Sequence, residues 1–218
     1  MPTPPTKEGA RAVGLDLGIT TFATLSDGSV IPSLRAARRA QRRLRVAQRA
    51  LARKKRDSKS RKKAQTMVAR CHAATVRRRL DHLHQAAARL VHNYDLIAIE
   101  ALNVGALSRG FLARDVCDAS WARFISLLRY KAEKAGTRVI EVDPRNTSQE
   151  CSRCGATVIK TLDQRWHVCF ACGLSIDRDL NAAVNILNRA RVGPGLPNVA
   201  VRVACVQAET PVSEANSV

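Results

Sequence analysis

Two C-x-x-C pairs, Cys151/Cys154 and Cys169/Cys172, are separated by fourteen residues, and each is followed by a glycine, Gly155 or Gly173. A C-x-x-C turn brings two thiolates to one side of a metal. Two such turns supply the four soft donors that tetrahedral zinc takes at about 2.3 Å. The glycines let the backbone turn tightly after each pair. The competing chemistry is a disulfide or a thioredoxin-like redox pair. A redox motif needs only one pair beside a βαβ unit, and the leader MPTPPTKEGAR lacks the apolar stretch of a secretory signal. The spacing therefore reads as a structural zinc ribbon over 148–176, closed to substrate, so that the chemistry lies elsewhere. A second set of residues is acidic. Asp16 stands between Leu15 and Leu17, Glu100 lies near the end of the apolar run YDLIAIEAL, and Asp177 and Asp179 open the last helical pattern. An acid in an apolar strand is costly to bury unless it is paired or binds a cation. The plainer alternatives are solvent-facing strand acids for Asp16 and Glu100, and helix capping for Asp177 or Asp179.

The chain around these residues has 218 residues and a net charge of +19. That length holds one medium domain with a small appendage. Such an excess of Lys and Arg makes a nucleic acid the first partner to consider. Aromatic residues make up 4% of the chain, which argues against recognition built mainly on base stacking. No long apolar span and no Trp- or Phe-rich basic helix points to a membrane. Four metal-spaced cysteines without a signal peptide indicate a reducing compartment. Cys71, Cys117 and Cys205 are scattered singly and read as small buried hydrophobes.

Residues 1–10 carry three prolines and read as a disordered leader. Two β-rich runs around Gly18, with a turn at Asp27-Gly28, predict a hairpin or meander opening a sheet. From Ser33 the pattern turns helical, with Ala37, Ala40, Leu44, Ala47 and Leu51 at spacings of three and four. The run RKKRDSKSRKK, 53–63, predicts a loop. A second helix follows, with Met67, Cys71 and Ala74 on one side, continuing through Leu80, Leu83, Ala87 and Leu90. Together these form a basic helical hairpin over 35–92. Its charges are nearly all of one sign, which costs self-repulsion unless a polyanion neutralises them. A strand at 94–102, a helix at 118–135 stopped by Gly136, a strand at 137–143 and a helix at 179–190 complete the pattern. In the two later helices, Trp121, Phe124, Ile125, Leu128 and Ala132, and then Ala182, Ala183, Ile186 and Leu187, should face the core. The tail, 192–218, reads as flexible.

This order predicts an α/β fold with an RNase H-like mixed sheet, an inserted basic helical hairpin and a small zinc ribbon. The main domain would comprise 11–147 and 177–191. In such a sheet Asp16, Glu100 and Asp179 can converge. Hard carboxylate oxygens suit Mg²⁺ or Mn²⁺, and two such ions about 4 Å apart would serve phosphodiester hydrolysis.

The blocks GLDLGI (14–19), IAIEALNV (97–104), YKAEKAG (130–136), TSQECSRCG, CFACG and DRDLNAAVNI resemble the TnpB/OrfB proteins of bacterial insertion sequences, relatives of the type V CRISPR effectors. Arg79, Asp81 and His84 fit the family's pattern on the hairpin. The resemblance implies a RuvC-like, Mg²⁺-dependent, RNA-guided DNA endonuclease with DNA and a guide RNA as partners. By position it carries the three catalytic, magnesium-holding acids onto Asp16, Glu100 and Asp179, with Asp177 the lesser choice for the third. The zinc ligands fall on Cys151, Cys154, Cys169 and Cys172. It also implies a cytoplasmic, nucleoid-associated protein of a bacterium or archaeon. Ala101 stands where the family has an acid. Family members also carry an N-terminal oligonucleotide-binding barrel with a helical insertion, where this chain has a short Pro-rich leader. The expectation is a truncated copy, a fragment or one half of a split effector, with an additional protein or oligomer partner supplying the front functions. The alternative is a catalytically inactive nucleic-acid-binding remnant. The chain is expected to supply no His-hydrophobic-His constellation beside a tyrosine, with Tyr94 and Tyr130 reading as core or surface residues, so transposition by this chain itself is not expected.

Overall fold

Alternation along the first strand divides the molecule into two faces. In β1 (Ala12–Leu17) the odd-numbered residues Val13, Leu15 and Leu17 enter one hydrophobic core, which leaves Gly14 and Asp16 on the opposite face. The structure, a computed structural model, describes residues 10–103, 105, 113–161 and 163–192. Residues 1–9 of the expected leader and the tail beyond Val192, with Cys205, lie outside the described residues.

β1 pairs antiparallel with β2 (Thr21–Leu25), and β2 with β3 (Val30–Pro32), forming the predicted meander. Its turn runs through Gly28, whose φ of 88° suits glycine. On its other side β1 pairs in parallel with β4 (Leu96–Glu100), which pairs in parallel with β5 (Arg138–Val142). The sheet order is β3-β2-β1-β4-β5, so β1 is central. A separate pair, β6 (Trp166–Val168) and β7 (Ser175–Asp177), belongs to the cysteine-bearing segment.

The helices are α1 (Ala36–Ala52), α2 (Lys59–Asn93), α3 (Ala113–Ala119), α4 (Trp121–Ala135) and α5 (Arg178–Val192). The C-terminal half of α2, through Leu83, Ala86, Ala87 and Leu90, and α4, through Trp121, Phe124, Ile125 and Leu128, cover the Val13/Leu15/Ile97/Ile99 face. Phe22 meets Phe124 edge to face at 5.0 Å in this layer. On the opposite face α5 lays Ile186 and Ala190 against Ala98 and Val142. All four residues expected to face inward, Ala182, Ala183, Ile186 and Leu187, are buried. No helix among the described residues is long and apolar enough to cross a membrane.

Local chemistry moves two boundaries from their predicted places. The loop expected over 53–63 ends at Ser58, whose Oγ accepts the Arg61 amide at 3.1 Å and starts α2 at Lys59. The Arg61 guanidinium then reaches back to the carbonyls of Lys54 (3.3 Å) and Leu51 (3.5 Å), closing the end of α1. The single helix expected over 118–135 is two, because Ser120 takes a left-handed conformation (φ 56°) between α3 and α4. The apolar seam of α2 is also uneven. Met67 is half exposed and Cys71 partly covered, and only from Leu83 onward does the helix enter the core. Cys117, expected to be buried, is exposed on α3.

Helix α5 approaches β1 so closely that a Cβ on Gly14 would stand 2.1 Å from the Ala183 carbonyl oxygen and 2.8 Å from the Leu187 nitrogen. Both are backbone atoms and cannot swing aside. Gly14→Ala is therefore expected to destabilise the chain by about 3 kcal/mol, read as a lower urea midpoint at unchanged slope.

Candidate metal centres

The parallel register pairs Gly14 with Ala98. Continuing it by two residues places Asp16 beside Glu100, both at the carboxyl ends of their strands and on the face covered by α5. Ligands of open α/β sheets bind at such strand ends. α5 begins there too, with Asp179 in its first turn. Asp177 Oδ1 accepts the amides of Asp179 (2.9 Å) and Leu180 (3.0 Å), so Asp177 is the helix cap. The Asp179 carboxylate is flanked by Arg178 Nε at 3.4 Å and Arg165 at 3.8 Å.

Asp16 is only half-buried as a residue, but its carboxyl is desolvated and faces like charges. Burial first, then Glu100 and Asp179, push its pKa from an ordinary 3.8 to about 8, against the lowering effect of Arg178. Burial also raises Glu100, opposed by a hydrogen bond from Thr147 Oγ1 (2.5 Å) and by the charge of Arg189. Three oxygen acids whose charges oppose one another at a strand end suit a hard divalent cation in donor type.

The cysteines fit zinc more closely. Cys151 Sγ lies 3.6 Å from Cys172 Sγ, and Cys154 Sγ lies 3.6 Å from Cys169 Sγ. All four sulfurs fall within 4.8 Å of one another. A tetrahedron with zinc–sulfur bonds of about 2.3 Å has edges of about 3.8 Å, so the thiols already have the dimensions of a zinc site. The two knuckles repeat one turn. Gly155 N bonds Cys151 O and Gly173 N bonds Cys169 O, each at 2.9 Å, with φ of 76° and 71° at the two glycines. Burial alone would raise the Cys169 thiol. The amides of Cys172 and Ala171 and the neighbouring thiols outweigh it and bring the pKa down to about 7. Among the described residues these four side chains are the only group of three or more Cys, His, Asp or Glu gathered tightly enough for one ion. The acids, near enough to raise Asp16, are not drawn together to that degree.

Sequence reasoning missed the residues that join the two centres. Asn181 and Asn185, one turn apart on α5, are buried and bond the cysteine-bearing segment. Asn181 holds Ser152 N (3.0 Å) and Glu150 O (2.8 Å), and Asn185 holds Thr147 O (2.8 Å) and Glu150 O (2.7 Å). The readable signal was two asparagines at i, i+4 inside an apolar helix pattern, where asparagine is a poor helix former. On the hairpin, Arg79 pairs with Asp118 at 2.6 Å, Asp81 accepts from Gln85, and His84 is exposed. The chain does contain a His-hydrophobic-His run, His82-Leu83-His84, which the sequence expectation passed over. It lies on α2, where residues two apart point about 200° apart. His82 packs edge to face on Phe22 at 5.3 Å, while Leu83 enters the core. The Tyr94 hydroxyl is taken by Asp27 (2.5 Å). The run is not a paired metal site.

Two outcomes follow. As pH rises past the ordinary carboxylate value, unfolded Asp16 loses its proton while folded Asp16 keeps it until about 8, so the fold loses stability over that window. Asp16→Asn removes the loss. In buffer free of added divalent ions it should gain on the order of 2 kcal/mol at pH 8, about 4–8 °C in Tm, and almost nothing near pH 4. The parent protein is expected to take up zinc, measured colorimetrically, and Cys169→Ser to lose that uptake and melt at a lower Tm.

Two family models match the chain. One is described as "Probable transposase" (OrfB_IS605), over residues 1–110, and the other as "Cas12f1-like, TNB domain", over residues 121–186. A Streptomyces pristinaespiralis protein named "Putative RNA-guided DNA endonuclease" is 42% identical over 186 residues, covering 84% of this chain and 46% of its own length. A protein of Escherichia coli (strain K12) named "Putative RNA-guided DNA endonuclease InsQ" is 32% identical over 200 residues, covering 84% of this chain and 50% of its own. The chain thus spans about half the length of the curated relatives it matches. The solved structure described as "Cryo-EM structure of the Cas12f1-sgRNA-target DNA complex" superposes with a TM-score of 0.57 at 16% identity, over 87% of this chain and 52% of that one, and so shares the fold. With its mixed α/β sheet and four-cysteine cluster, the chain belongs to the TnpB/OrfB family of insertion-sequence proteins.

Proposed function

We propose that this chain is the nuclease part of a transposon-associated, RNA-guided DNA endonuclease, hydrolysing phosphodiester bonds with divalent ions held by Asp16, Glu100 and Asp179. The observation that carries the proposal is the placement of these acids at one strand end, where burial first, and then the charges of Glu100 and Asp179, lift Asp16 to about 8. A cation relieves that repulsion, whereas without one the proton stays. Bound there, two Mg²⁺ or Mn²⁺ ions supply the charge that lowers the barrier to attack by water at phosphorus. Asp16 and Glu100 hold their carboxylates on rigid strands, and Asp179 completes the set from the first turn of α5. Asp177 is committed to capping that helix, which favours Asp179 as the third acid.

The remaining parts fit a polyanionic substrate. Arg43, Arg70 and Arg78 line a groove between α1 and α2 together with Ala40, Cys71 and Ala74, and three guanidinium groups there suit phosphates. Relatives named RNA-guided DNA endonucleases support DNA and a guide RNA as the partners. Zinc at Cys151, Cys154, Cys169 and Cys172 would be structural, since four thiolates leave no position for substrate. In this reading 11–147 and 177–191 form the nuclease domain and 148–176 the ribbon.

The test is cleavage of single- and double-stranded DNA with Mg²⁺, with and without RNA transcribed from the flanking locus. Metal-dependent cutting is expected, falling at least about 10²-fold in Asp16→Ala. Cutting by Asp16→Ala at the parent rate would exclude this site. Salt-sensitive binding with no cutting under any condition would make the chain a nucleic-acid-binding remnant.

A further inference from the structure

We propose that Thr147 is a positioning residue for the acidic centre, holding the Glu100 carboxylate where it can meet a divalent cation. The proposal rests on the metal-site reading of Glu100 given above. Thr147 is 2% exposed, and its Oγ1 lies 2.5 Å from Glu100 Oε1 and 3.1 Å from the Pro144 carbonyl. A hydroxyl has one proton to donate, so the two acceptors compete for it, and the short contact to a carboxylate is the stronger claim. Glu100 otherwise ends its strand with rotatable side-chain bonds and a half-buried carboxyl. Fixing Oε1 leaves Oε2 without a hydrogen-bond partner among the described residues, open to a cation.

The hydroxyl can position only if it is itself held. The Thr147 carbonyl accepts from Asn185 Nδ2 at 2.8 Å, and the same amide group takes Glu150 O at 2.7 Å. Arg189, one turn further along α5, donates to the carbonyls of Asp143 and Arg145, both at 2.6 Å, and to Glu150 Oε2 at 2.7 Å. One face of α5 therefore clamps the segment 143–150 on both sides of Thr147. The β-branched side chain has little rotamer freedom of its own. A merely structural Thr147 would close the turn onto Pro144 and leave metal affinity untouched.

The experiment uses the full zinc-loaded chain and titrates Mn²⁺, reading the free ion by electron paramagnetic resonance, with Tm and zinc content measured alongside. Thr147→Val keeps the shape and removes the hydroxyl. It should weaken Mn²⁺ binding by about tenfold or more, the worth of a hydrogen bond to a charged group, at parental zinc content and with cooperative melting. Thr147→Ser restores the donor and should bind within about twofold of the parent protein. If Thr147→Val does not melt cooperatively, Thr147→Ala is judged by the same criterion. Parental affinity in the variant lacking the hydroxyl, with Mn²⁺ binding lost in Asp16→Asn, overturns the positioning role alone. No Mn²⁺ binding by the parent protein overturns the metal reading and this proposal together.

Discussion

The close seating of α5 on β1 at Gly14 is the constraint on which the rest of the molecule depends. With no side chain there, the helix backbone rests almost directly on the central strand, and a Cβ would meet the Ala183 carbonyl at 2.1 Å. That depth lets Ile186 and Ala190 reach Ala98 and Val142 and seal the second core. It also fixes where the helix begins. Asp179 starts beside the strand ends that carry Asp16 and Glu100, and Asn181, Asn185 and Arg189 emerge on the side where the cysteine-bearing segment lies. A single helix therefore supplies an acid, seals a hydrophobic layer and anchors a loop.

The two centres solve opposite electrostatic problems. The thiols sit in two matching knuckles whose backbone amides steady sulfur charge, so the site takes shape from local turns. The acids come from three elements far apart in sequence, and nothing local favours their assembly. Hydrophobic layers on both sides of the sheet hold them together against repulsion. Stability spent in this way is common where charge must be concentrated for chemistry.

Much of this was legible in the sequence because it depends on short-range rules. Cysteine spacing announced the knuckles, and the apolar runs that hold Asp16 and Glu100 announced strands. The Trp121/Phe124/Ile125/Leu128 stripe gave a core helix. What escaped notice depends on contacts distant in sequence or on single polar groups. Ser58 looks like one more polar residue in a charged run until its hydroxyl is seen capping α2. Ser120 gives no warning of a left-handed turn, which many residues can adopt when packing on both sides demands it. Thr147, Asn181 and Asn185 form a polar network whose partners lie 29 to 47 residues away. Periodicity reports which face is apolar, and it is silent about which buried amide finds which carbonyl.

The two-residue repeat of β1 has one more effect, on misfolding. Slipping β1 by one residue against β4 would turn Leu15 and Leu17 out of the first core and drive Asp16 in among Phe22, Phe124 and Leu128. It would also take Gly14 out from under α5 and replace it with a bulkier neighbour. The misregistered sheet thus loses core contacts, buries an unpaired carboxylate and collides with a helix backbone at once. The arrangement that brings the acids together is the same one the hydrophobic layers select, so a chain that folds with a sound core cannot have its acids on the wrong face.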